Sequence, residues 1–314
     1  MGILIIGTVA LDSVITPFGS RNDVLGGSAT YSGIAASYFT DVRIVAVVGD
    51  DFPEVHVDLL KKKGIDTEGI KKMQGNTFRW KGEYGYDMNS RTTLETQLNV
   101  FSDFDPQLSA AQKREPYLFL GNLDPDIQNS VLAQMENPKF VACDTMNLWI
   151  ETKRAPLLEV LKKIDLLVVN DEEARMLADT ANLLQAAQKI IDMGPKRLVI
   201  KRGEYGAMLF GPRTIFSSVA FPIENVTDPT GAGDAFAGGM MGYLSNLSSD
   251  SEVSLRKAVV YGSIMASFSV TDFGPQRLGD LTFTEIDSRY REFCKTTLFE
   301  DFDANADYSF SLLP

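Results

Sequence analysis

The sequence predicts an α/β protein built on a doubly wound, largely parallel sheet flanked by helices, with a small β-sheet lid. Short apolar runs alternate along the chain with helix-like segments, which is the order typical of such a sheet. Runs such as 42–48 are apolar almost throughout, as expected for parallel strands buried on both faces. The chain has 314 residues, of which 44% are hydrophobic, enough for one large domain or two smaller ones.

The predicted elements follow one another in a strand-and-helix order. Strands are expected at 3–7, 42–48, 117–120, 139–143, 166–169, 197–201 and 206–210, the last two forming a hairpin. Helices are expected at 27–39, 52–64, 126–135, near 153–164, near 171–178, and at 182–193, 232–246, 252–269 and 284–296. The acidic tail at 299–314 has no clear period, so we expect it to pack weakly or fray.

One segment departs from this alternation. Residues 77–86 and 91–100 carry two β-like runs around a polar turn at 87–90. Together with 13–26 they are expected to form a small sheet that acts as a lid; the alternative is an edge extension of the main sheet. The predicted division assigns 1–12, 27–75 and 106–314 to a main α/β domain that binds nucleotide and substrate, and 13–26 and 76–105 to the lid.

Composition excludes several classes of function. The net charge of −12 disfavours nucleic acid and anionic membranes as partners, since both attract clustered Lys and Arg. No apolar run reaches the roughly 18 residues of a transmembrane helix, and residues 1–10 lack the basic start of a signal peptide. The isolated Cys143 and Cys294 indicate a reducing compartment, so we expect a cytoplasmic protein. The lone histidine, His56, is interpreted as a surface side chain rather than a catalyst.

The most informative segment is 228–239. Gly231, Ala232 and Gly233 precede an apolar, small-residue helix, and their N–H groups at its N-terminus predict a site for a phosphate-like anion. Asp234 lies in the first turn, where it is suited to take a proton from a hydroxyl that attacks phosphorus. The alternative is an ordinary helix start with an N-cap and a few packing glycines; Asp228 belongs to the same segment. The segment matches neither the P-loop nor Gly-x-Gly-x-x-Gly.

Two further clusters follow predicted strands, where ligands of open α/β sheets bind. Asn170 and Glu173, at a helix start, suit a hydrated Mg²⁺ and phosphate oxygens; helix capping is the alternative. Lys201 is followed by Gly203 and Gly206, which allow a tight turn whose backbone approaches a nucleotide; a plain hairpin turn is the alternative.

A fourth cluster comprises Asp12, Gly26 and Gly27. A buried carboxylate beside a Gly-Gly helix start can hold sugar hydroxyls by accepting their hydrogen bonds. Surface turn and cap roles explain these residues equally well. Weaker signals after strands are Gly121 with Asn122, and Asp144 with Asn147.

The chain resembles the ribokinase-like (PfkB) carbohydrate and nucleoside kinases over nearly its whole length. The matching motifs are Gly7 to Asp12 with Gly26-Gly27, Asn170-x-x-Glu173, Lys201-x-Gly203-x-x-Gly206, and Asp228-x-Thr230-Gly231-Ala232-Gly233-Asp234. The resemblance implies that Asp234 is the catalytic base, that the amides of 231–233 form the anion hole, and that a β-sheet lid closes over the sugar. It also implies ATP and Mg²⁺ as cofactors, with adenine near Gly262, Ser263 and the loop to Gly274. Some relatives bind a monovalent cation such as K⁺ next to the signature, for which Asp228 and Thr230 are the candidates.

The chain departs from the family pattern at two places. Ala29, Thr30 and Tyr31 occupy the region where the family has an Asn that contacts the sugar. The family's mid-chain Asp-x-Asn-x-Arg is replaced by 144–149, in which the Asn is shifted and the Arg is missing. A second phosphate usually requires an Arg, so this loss argues against a phosphorylated sugar as substrate.

We therefore expect an ATP-dependent kinase that phosphorylates a hydroxymethyl group of a small sugar or a ribonucleoside. The aromatic residues Phe78, Trp80, Tyr84 and Tyr86 of the predicted lid either stack on a base or pack the lid itself. The alternatives are a phosphosugar kinase and, from another class, a catalytically silent sugar- or nucleotide-binding regulator. A homodimer through exposed lid edges is also expected.

Overall fold

The computed structural model describes residues 2–212, 214–247 and 249–298, so the tail predicted to fray lies outside the described residues. The strands are β1 Gly2–Ile6, β2 Ala10–Thr16, β3 Gly19–Gly26, β4 Asp41–Val48, β5 Asp66–Lys72, β6 Arg79–Tyr84, β7 Arg91–Gln97, β8 Tyr117–Leu120, β9 Phe140–Asp144, β10 Leu166–Asn170, β11 Arg197–Lys201, β12 Ala207–Phe210 and β13 Ile215–Ser218. The helices are α1 Ser28–Ala36, α2 Glu54–Lys62, α3 Pro125–Gln134, α4 Asn147–Thr152, α5 Arg154–Leu161, α6 Asp171–Ala178, α7 Leu183–Asp192, α8 Ala232–Leu247, α9 Glu252–Ser269, α10 Gln276–Gly279 and α11 Phe283–Thr297.

The main sheet has nine strands in the order β13-β12-β11-β10-β9-β8-β1-β4-β5. The seven strands from β11 to β5 pair in parallel, and β12 and β13 add an antiparallel edge. Successive residues of β1 enter opposite cores: Ile3 and Ile5 pack on one face, and Leu4 and Ile6 on the other. The doubly wound, largely parallel sheet predicted from the sequence is therefore confirmed.

A separate smaller sheet has four strands in the order β3-β2-β6-β7. The prediction of a small second sheet is confirmed, and the alternative of an edge extension is wrong. The division at residue 12 needs correction, because β2 begins at Ala10 and pairs with β3 and β6. The sheet also ends at Gln97, since Val100 and Phe101 pack into the core of the main sheet.

Helix α8 packs against α1 with almost no side chain between them. A Cβ on Gly238 would lie 2.1 Å from the carbonyl oxygen of Ser32, and one on Gly242 would lie 2.7 Å from Cα of Ala36. The small residues of α8 therefore serve close helix packing. This contact brings the start of α8 beside the start of α1, where Gly27 lies.

The strands and helices that were not predicted from the sequence are short or polar. Strand β5 is an edge strand with the sequence DTEGIKK, which lacks the apolar run that identified the central strands. Strand β13 forms the opposite edge. The helix expected near 153–164 is α5, and the short helix α4 before it was not predicted. Lys153 separates the two because it departs from helical geometry, with φ −130° and ψ 34°.

The single histidine and the two cysteines differ in their burial. His56 is half-buried rather than a free surface side chain, with its ring 5.5 Å from that of Phe52, and burial lowers its pKa. Cys143 is buried and Cys294 is exposed. None of the described helices is long and apolar enough to cross a bilayer.

Candidate active site

The N-terminus of α8 is formed by the Gly-Ala-Gly turn. Gly231 has φ +74°, a left-handed conformation that favours glycine. A Cβ at this position would lie 2.3 Å from the ring of Tyr31. The carbonyl of Gly231 accepts from the N–H of Ala235 at 2.8 Å, which starts the helix. Packing alone therefore also requires glycine at position 231.

The three amides predicted to bind an anion are not equivalent. The N–H of Ala232 donates to the carbonyl of Pro229 at 3.2 Å. The N–H groups of Gly231 and Gly233 have no acceptor among the described residues. Gly231 and Gly233 thus have the unpaired amides that anion binding at a helix N-terminus requires, whereas Ala232 would have to share its hydrogen.

Asp234 lies in the first turn of α8, and its side chain keeps partial exposure to solvent. Burial raises the pKa of its carboxyl from 3.8 to about 7, and the negative charge of Asp144 acts in the same direction. The cations Lys201 and Arg91 oppose this rise. A carboxyl whose pKa lies near neutrality is suited to accept a proton from an alcohol.

A largely buried ion pair lies beside Asp234. Nζ of Lys201, at the end of β11, is 2.9 Å from Oδ2 of Asp144, at the end of β9. Burial opposes the charged form of Lys201, but Asp144, Glu173 and Asp234 together raise its pKa above the ordinary value. A Cβ on Gly233 would lie 3.0 Å from the Lys201 ammonium, so this cation lies against the α8 turn.

Asp12, Gly26 and Gly27, predicted to hold the substrate, lie together. The N–H of Gly27 donates to the Asp12 carboxylate, and a Cβ on Gly26 would lie 1.9 Å from its Oδ2. Asp12 is 5% exposed, and burial raises its pKa to about 7 against that hydrogen bond. Asp228 and Asp234 raise the pKa further, so Asp12 faces the signature segment.

Asn170 and Glu173 form a reciprocal capping box at the start of α6. Oε2 of Glu173 accepts from the Asn170 N–H at 2.8 Å, and Oδ1 of Asn170 accepts from the Glu173 N–H at 2.7 Å. The capping alternative therefore describes this geometry. Burial and Asp144 raise the pKa of Glu173 to about 7, while Lys201 lowers it. Oε1 of Glu173 accepts no hydrogen bond within the described part of the chain.

The turn between β11 and β12 contains Gly203, with φ +53°, and Gly206, with φ +82°. Arg202 N donates to the Gly206 carbonyl at 2.8 Å, so the hairpin alternative is realised. The tip of the smaller sheet contacts this turn, because Nδ2 of Asn89 donates to Oε1 of Glu204 at 3.3 Å.

Asp228 and Thr230 are buried before the α8 turn. Oδ1 of Asp228 accepts from the Thr230 N–H at 2.8 Å, and Oδ2 accepts from the Gly274 N–H at 3.3 Å. The Thr230 hydroxyl donates to the hydroxyl of Tyr84, on β6, at 3.3 Å. The smaller sheet is thereby joined to the signature segment by a side-chain hydrogen bond.

Gly262 and Ser263 lie inside the packing of α8 against α9. A Cβ on Gly262 would lie 2.8 Å from the Phe236 carbonyl oxygen, and Ser263 is buried. The nucleotide contact expected of these residues and of Gly274 stays a prediction.

Sequence reasoning missed two residues near this site. Tyr31 is 1% exposed, its hydroxyl has no partner among the described residues, and burial followed by the charge of Asp228 raises its pKa well above 10. The available signal was its place in the 29–31 region, where the resembled family has an Asn that contacts the sugar. Arg91 influences Asp234 and Glu173 through its charge. Its placement depends on strand register, for which the local sequence gives no sign.

Residues 9–280 match the sequence pattern described as pfkB family carbohydrate kinase. The chain belongs to the pfkB family. It is 34% identical over 265 residues to the deoxyribokinase of Salmonella typhi, covering 80% of this chain and 83% of that protein. It is 29% identical over 259 residues to the cytidine kinase of Thermococcus kodakarensis, covering 77% of this chain and 87% of that protein. The predicted family and a phosphotransferase activity on an alcohol acceptor are thereby confirmed.

Solved pfkB-type structures share the fold. The nucleoside kinase of Burkholderia thailandensis in complex with inosine has a TM-score of 0.77 at 22% identity, covering 92% of this chain and 97% of that chain. A putative ribokinase II from E. coli, in complex with ATP and Mg²⁺, has a TM-score of 0.73 at 19% identity, covering 92% and 99%. The ribokinase-like fold of this chain is confirmed by these likenesses.

Proposed function

We propose that this pfkB-family enzyme transfers the γ-phosphoryl group of ATP to a hydroxymethyl group of a ribonucleoside, with small sugars as the second acceptor class. One observation carries the proposal. Asp12 and Asp234 lie close enough for their charges to interact, beside a helix N-terminus with the unpaired amides of Gly231 and Gly233. An alcohol held by Asp12 would there meet both a proton acceptor and an anion site.

The residue roles follow from this arrangement. Asp12, with the turn at Gly26 and Gly27, would accept hydrogen bonds from ring hydroxyls of the substrate. Asp234 would take the proton of the attacking hydroxyl, a contribution of about 10²–10⁴-fold. The amides at 231–233 would neutralise charge on the transferred phosphoryl group, with Ala232 the weakest donor because Pro229 already accepts from it.

The chain fits ATP and Mg²⁺. Oε1 of Glu173 accepts no hydrogen bond from a described residue, and the pKa of Glu173 stays raised despite the charge of Lys201, so Mg²⁺ would further stabilise its ionised form. The described residues contain no group of three or more His, Cys, Asp or Glu that could hold a metal, so phosphate oxygens and water would complete the shell around Mg²⁺. Lys201 and the turn at Gly203 and Gly206 would contact the nucleotide, with Gly262, Ser263 and Gly274 nearer the adenine.

Trp80 favours a nucleoside over a free sugar. Register places Trp80 opposite Asp12, and opposed residues share a face of a sheet. A Cβ on Gly82 would lie 2.1 Å from the indole, so the ring lies flat on the sheet as a platform. Phe78 instead packs beside Phe101 with ring centres 5.7 Å apart, and Tyr86 is 89% exposed. Of the four predicted lid aromatics, Trp80 is the one we assign to base stacking.

The loop that lacks the family's Arg does not favour a phosphosugar. Nε1 of Trp149 donates to Oδ1 of Asn122 at 2.9 Å, and Nδ2 of Asn122 approaches Sδ of Met146 at 3.0 Å. These residues supply no cation for a second phosphate. We therefore keep a phosphosugar kinase only as an outcome of the test below.

Two further expectations stay proposals. A monovalent cation such as K⁺ would bind at Asp228 and Thr230, where burial raises the pKa of Asp228. A homodimer would pair through the smaller sheet, whose edge strands β3 and β7 are largely exposed. Turnover in K⁺ against choline chloride, and sedimentation equilibrium, test these two proposals.

A substrate panel tests the proposed function. The purified chain would be supplied with ATP and Mg²⁺ and with cytidine, inosine, ribose, deoxyribose, fructose or fructose 6-phosphate, and ADP formation would be measured. We expect the highest kcat/KM with a nucleoside. ATP binding without acceptor-dependent ADP formation would instead identify a catalytically silent regulator, and a preference for fructose 6-phosphate would overturn the acceptor class.

A further inference from the structure

The site is rich in negative charge before any nucleotide binds. The charge of Asp234 raises the pKa of Asp12, and the charge of Asp144 raises the pKa of both Glu173 and Asp234. The chain as a whole has a net charge of −12. The buried cation Lys201 is already paired with Asp144. A helix N-terminus contributes only about half an elementary charge. A nucleoside triphosphate keeps a net negative charge even with the proposed Mg²⁺ bound, so a further cation would stabilise it here.

Strand register places Arg91 on the side of the smaller sheet that faces the signature segment. Arg91 is the direct partner of Tyr84 in the antiparallel pair of β6 and β7, and directly opposed residues share a face. Tyr84 shares that face with Trp80, since alternate residues of a strand point the same way. Trp80 is in turn opposite Asp12. Arg91 thus lies on the face that carries the predicted substrate ligand.

Two contacts fix the hairpin that bears Arg91. The hydroxyl of Tyr84 is 3.3 Å from Oγ1 of Thr230, shortly before Asp234 in the chain. On the other side of the hairpin, Nδ2 of Asn89 is 3.3 Å from Oε1 of Glu204, in the turn expected to approach the nucleotide. Arg91 is the strand partner of Tyr84 and follows Asn89 by two residues, so it lies near both attachment points.

The side chain of Arg91 is available for a ligand. Its guanidinium forms no ion pair with a described residue. Its central carbon, Cζ, lies 5.6 Å from the centre of the Trp80 ring. The residue is exposed, so a bound anion can reach it. Its charge favours ionisation of both Asp234 and Glu173, which places it within electrostatic range of the base and the predicted Mg²⁺ ligand.

We propose that Arg91 binds the terminal phosphates of the nucleotide from the smaller sheet, opposite the α8 N-terminus, and steadies the phosphoryl group during transfer. This inference rests on the proposed kinase function. Guanidinium can grip two phosphate oxygens at once, a geometry that an ammonium cannot reproduce. The cation would arrive with the sheet that also covers the acceptor, so phosphate binding and acceptor coverage would be coupled.

The test compares Arg91→Ala and Arg91→Lys with Lys81→Ala. Lys81 is a matched control, because it lies on the same hairpin and its position between Trp80 and Gly82 turns it to the opposite face. We expect Arg91→Ala to lower kcat/KM for ATP by about 10²-fold, Arg91→Lys to fall between, and Lys81→Ala to stay within about twofold. Guanidinium ion added to the Arg91→Ala variant should restore part of the lost turnover.

The pH dependence of kcat/KM provides a second test, because it would stay unchanged if Arg91 had a purely structural role. Because Arg91 lowers the pKa of Asp234, its removal should shift the acid limb of kcat/KM to higher pH, against the background of Asp144 and Lys201, which face the same carboxyl. Thermal unfolding of each variant would check that the fold is kept.

The outcomes separate this inference from the proposed function. If Asp234→Asn is inactive while Arg91→Ala behaves like Lys81→Ala, the role of Arg91 is refuted and the kinase proposal stands. A rise in KM for the acceptor alone, with KM for ATP unchanged, also refutes it, because the anion held would then belong to the acceptor. Absence of turnover in the unsubstituted chain with every acceptor overturns the kinase proposal first.

Discussion

Replacing Asp234 with Asn tests the centre of the proposed mechanism. The substitution keeps the size of the side chain and removes its capacity to accept a proton. We expect kcat to fall by about 10²–10⁴-fold while ATP still binds, because the α8 amides and Lys201 are untouched. Turnover with the best acceptor and calorimetric titration with ATP measure the two quantities. Turnover near that of the unsubstituted enzyme would reject Asp234 as the base.

The same substitution has a stability effect whose sign follows from the pKa. In the folded protein the pKa of Asp234 is raised from 3.8 to about 7. The folded state therefore binds a proton more tightly than the unfolded chain, so stability is highest at low pH and is lost as the pH rises through about 7. Each unit of pKa shift corresponds to about 1.36 kcal/mol, so the full shift would correspond to about 4 kcal/mol if the carboxyl were completely buried. Because the side chain is partly exposed, we expect solvent screening to reduce this to about 1–2 kcal/mol.

Urea denaturation at pH 5 and pH 8 measures this effect. Asp12 and Glu173 titrate in the same range, so the informative quantity is the difference between the Asn variant and the unsubstituted protein at each pH. We expect the variant to gain stability relative to the unsubstituted protein on going to pH 8. Asp58→Asn, on the exposed side of α2, is the matched control and should show no such dependence. A difference that is the same at both pH values would refute the buried-carboxyl account of Asp234.

Three further substitutions probe other parts of the site. Gly233→Val places carbon against the Lys201 ammonium and the expected phosphate position, so turnover should be abolished with little change in the thermal midpoint. Lys201→Met leaves Asp144 buried and unpaired, so the free energy of unfolding should fall by about 3 kcal/mol. Lys196→Met removes a lysine that is itself exposed, and Asp165 keeps its hydrogen bond from the Val141 N–H, so the cost should be less than about 1 kcal/mol. Trp80→Leu should raise KM for a nucleoside at least about tenfold and leave KM for ATP unchanged.

Each of these expectations has a contrary result. Unchanged kinetics in the Gly233 variant would show that the α8 turn does not face the phosphoryl group. Equal losses for the two lysine variants would mean that the Lys201 pair is as exposed as that of Lys196. Equal effects of the Trp80 substitution on nucleoside and ribose would remove the case for base stacking.

The central strands could be predicted because a strand that is buried on both faces has an apolar local sequence. Strands β4, β10 and β11 are apolar almost throughout, and the predicted bounds agree closely with the observed ones. Edge strand β5 could not be found in this way, because one side of it meets solvent and its sequence is polar. Its pairing is determined by β4, a contact that no local pattern encodes.

The residues of the candidate site also differ in whether the local sequence predicts them. The signature around Asp234 and the Gly26-Gly27 pair are contiguous motifs, so the sequence was sufficient to select them. The pair of Lys201 with Asp144 and the placement of Arg91 arise from distant segments that meet only in the folded chain. Glycines added a further ambiguity, since Gly231 and Gly262 are required by packing whether or not they also contact a ligand.

The contact between α1 and α8, which has almost no side chain in it, has a consequence for how acceptor specificity can change. With backbone against backbone at Gly238 and Gly242, the distance between the turn at Gly27 and Asp234, the proposed acceptor site and base, is set without any adjustable side chain. If these roles hold, we expect substitutions in the smaller sheet to change the choice of acceptor while the distance between the two helix ends stays constant. The relatives of this chain include proteins named for cytidine, deoxyribose and fructose, so acceptor choice varies among sequences that are similar to it.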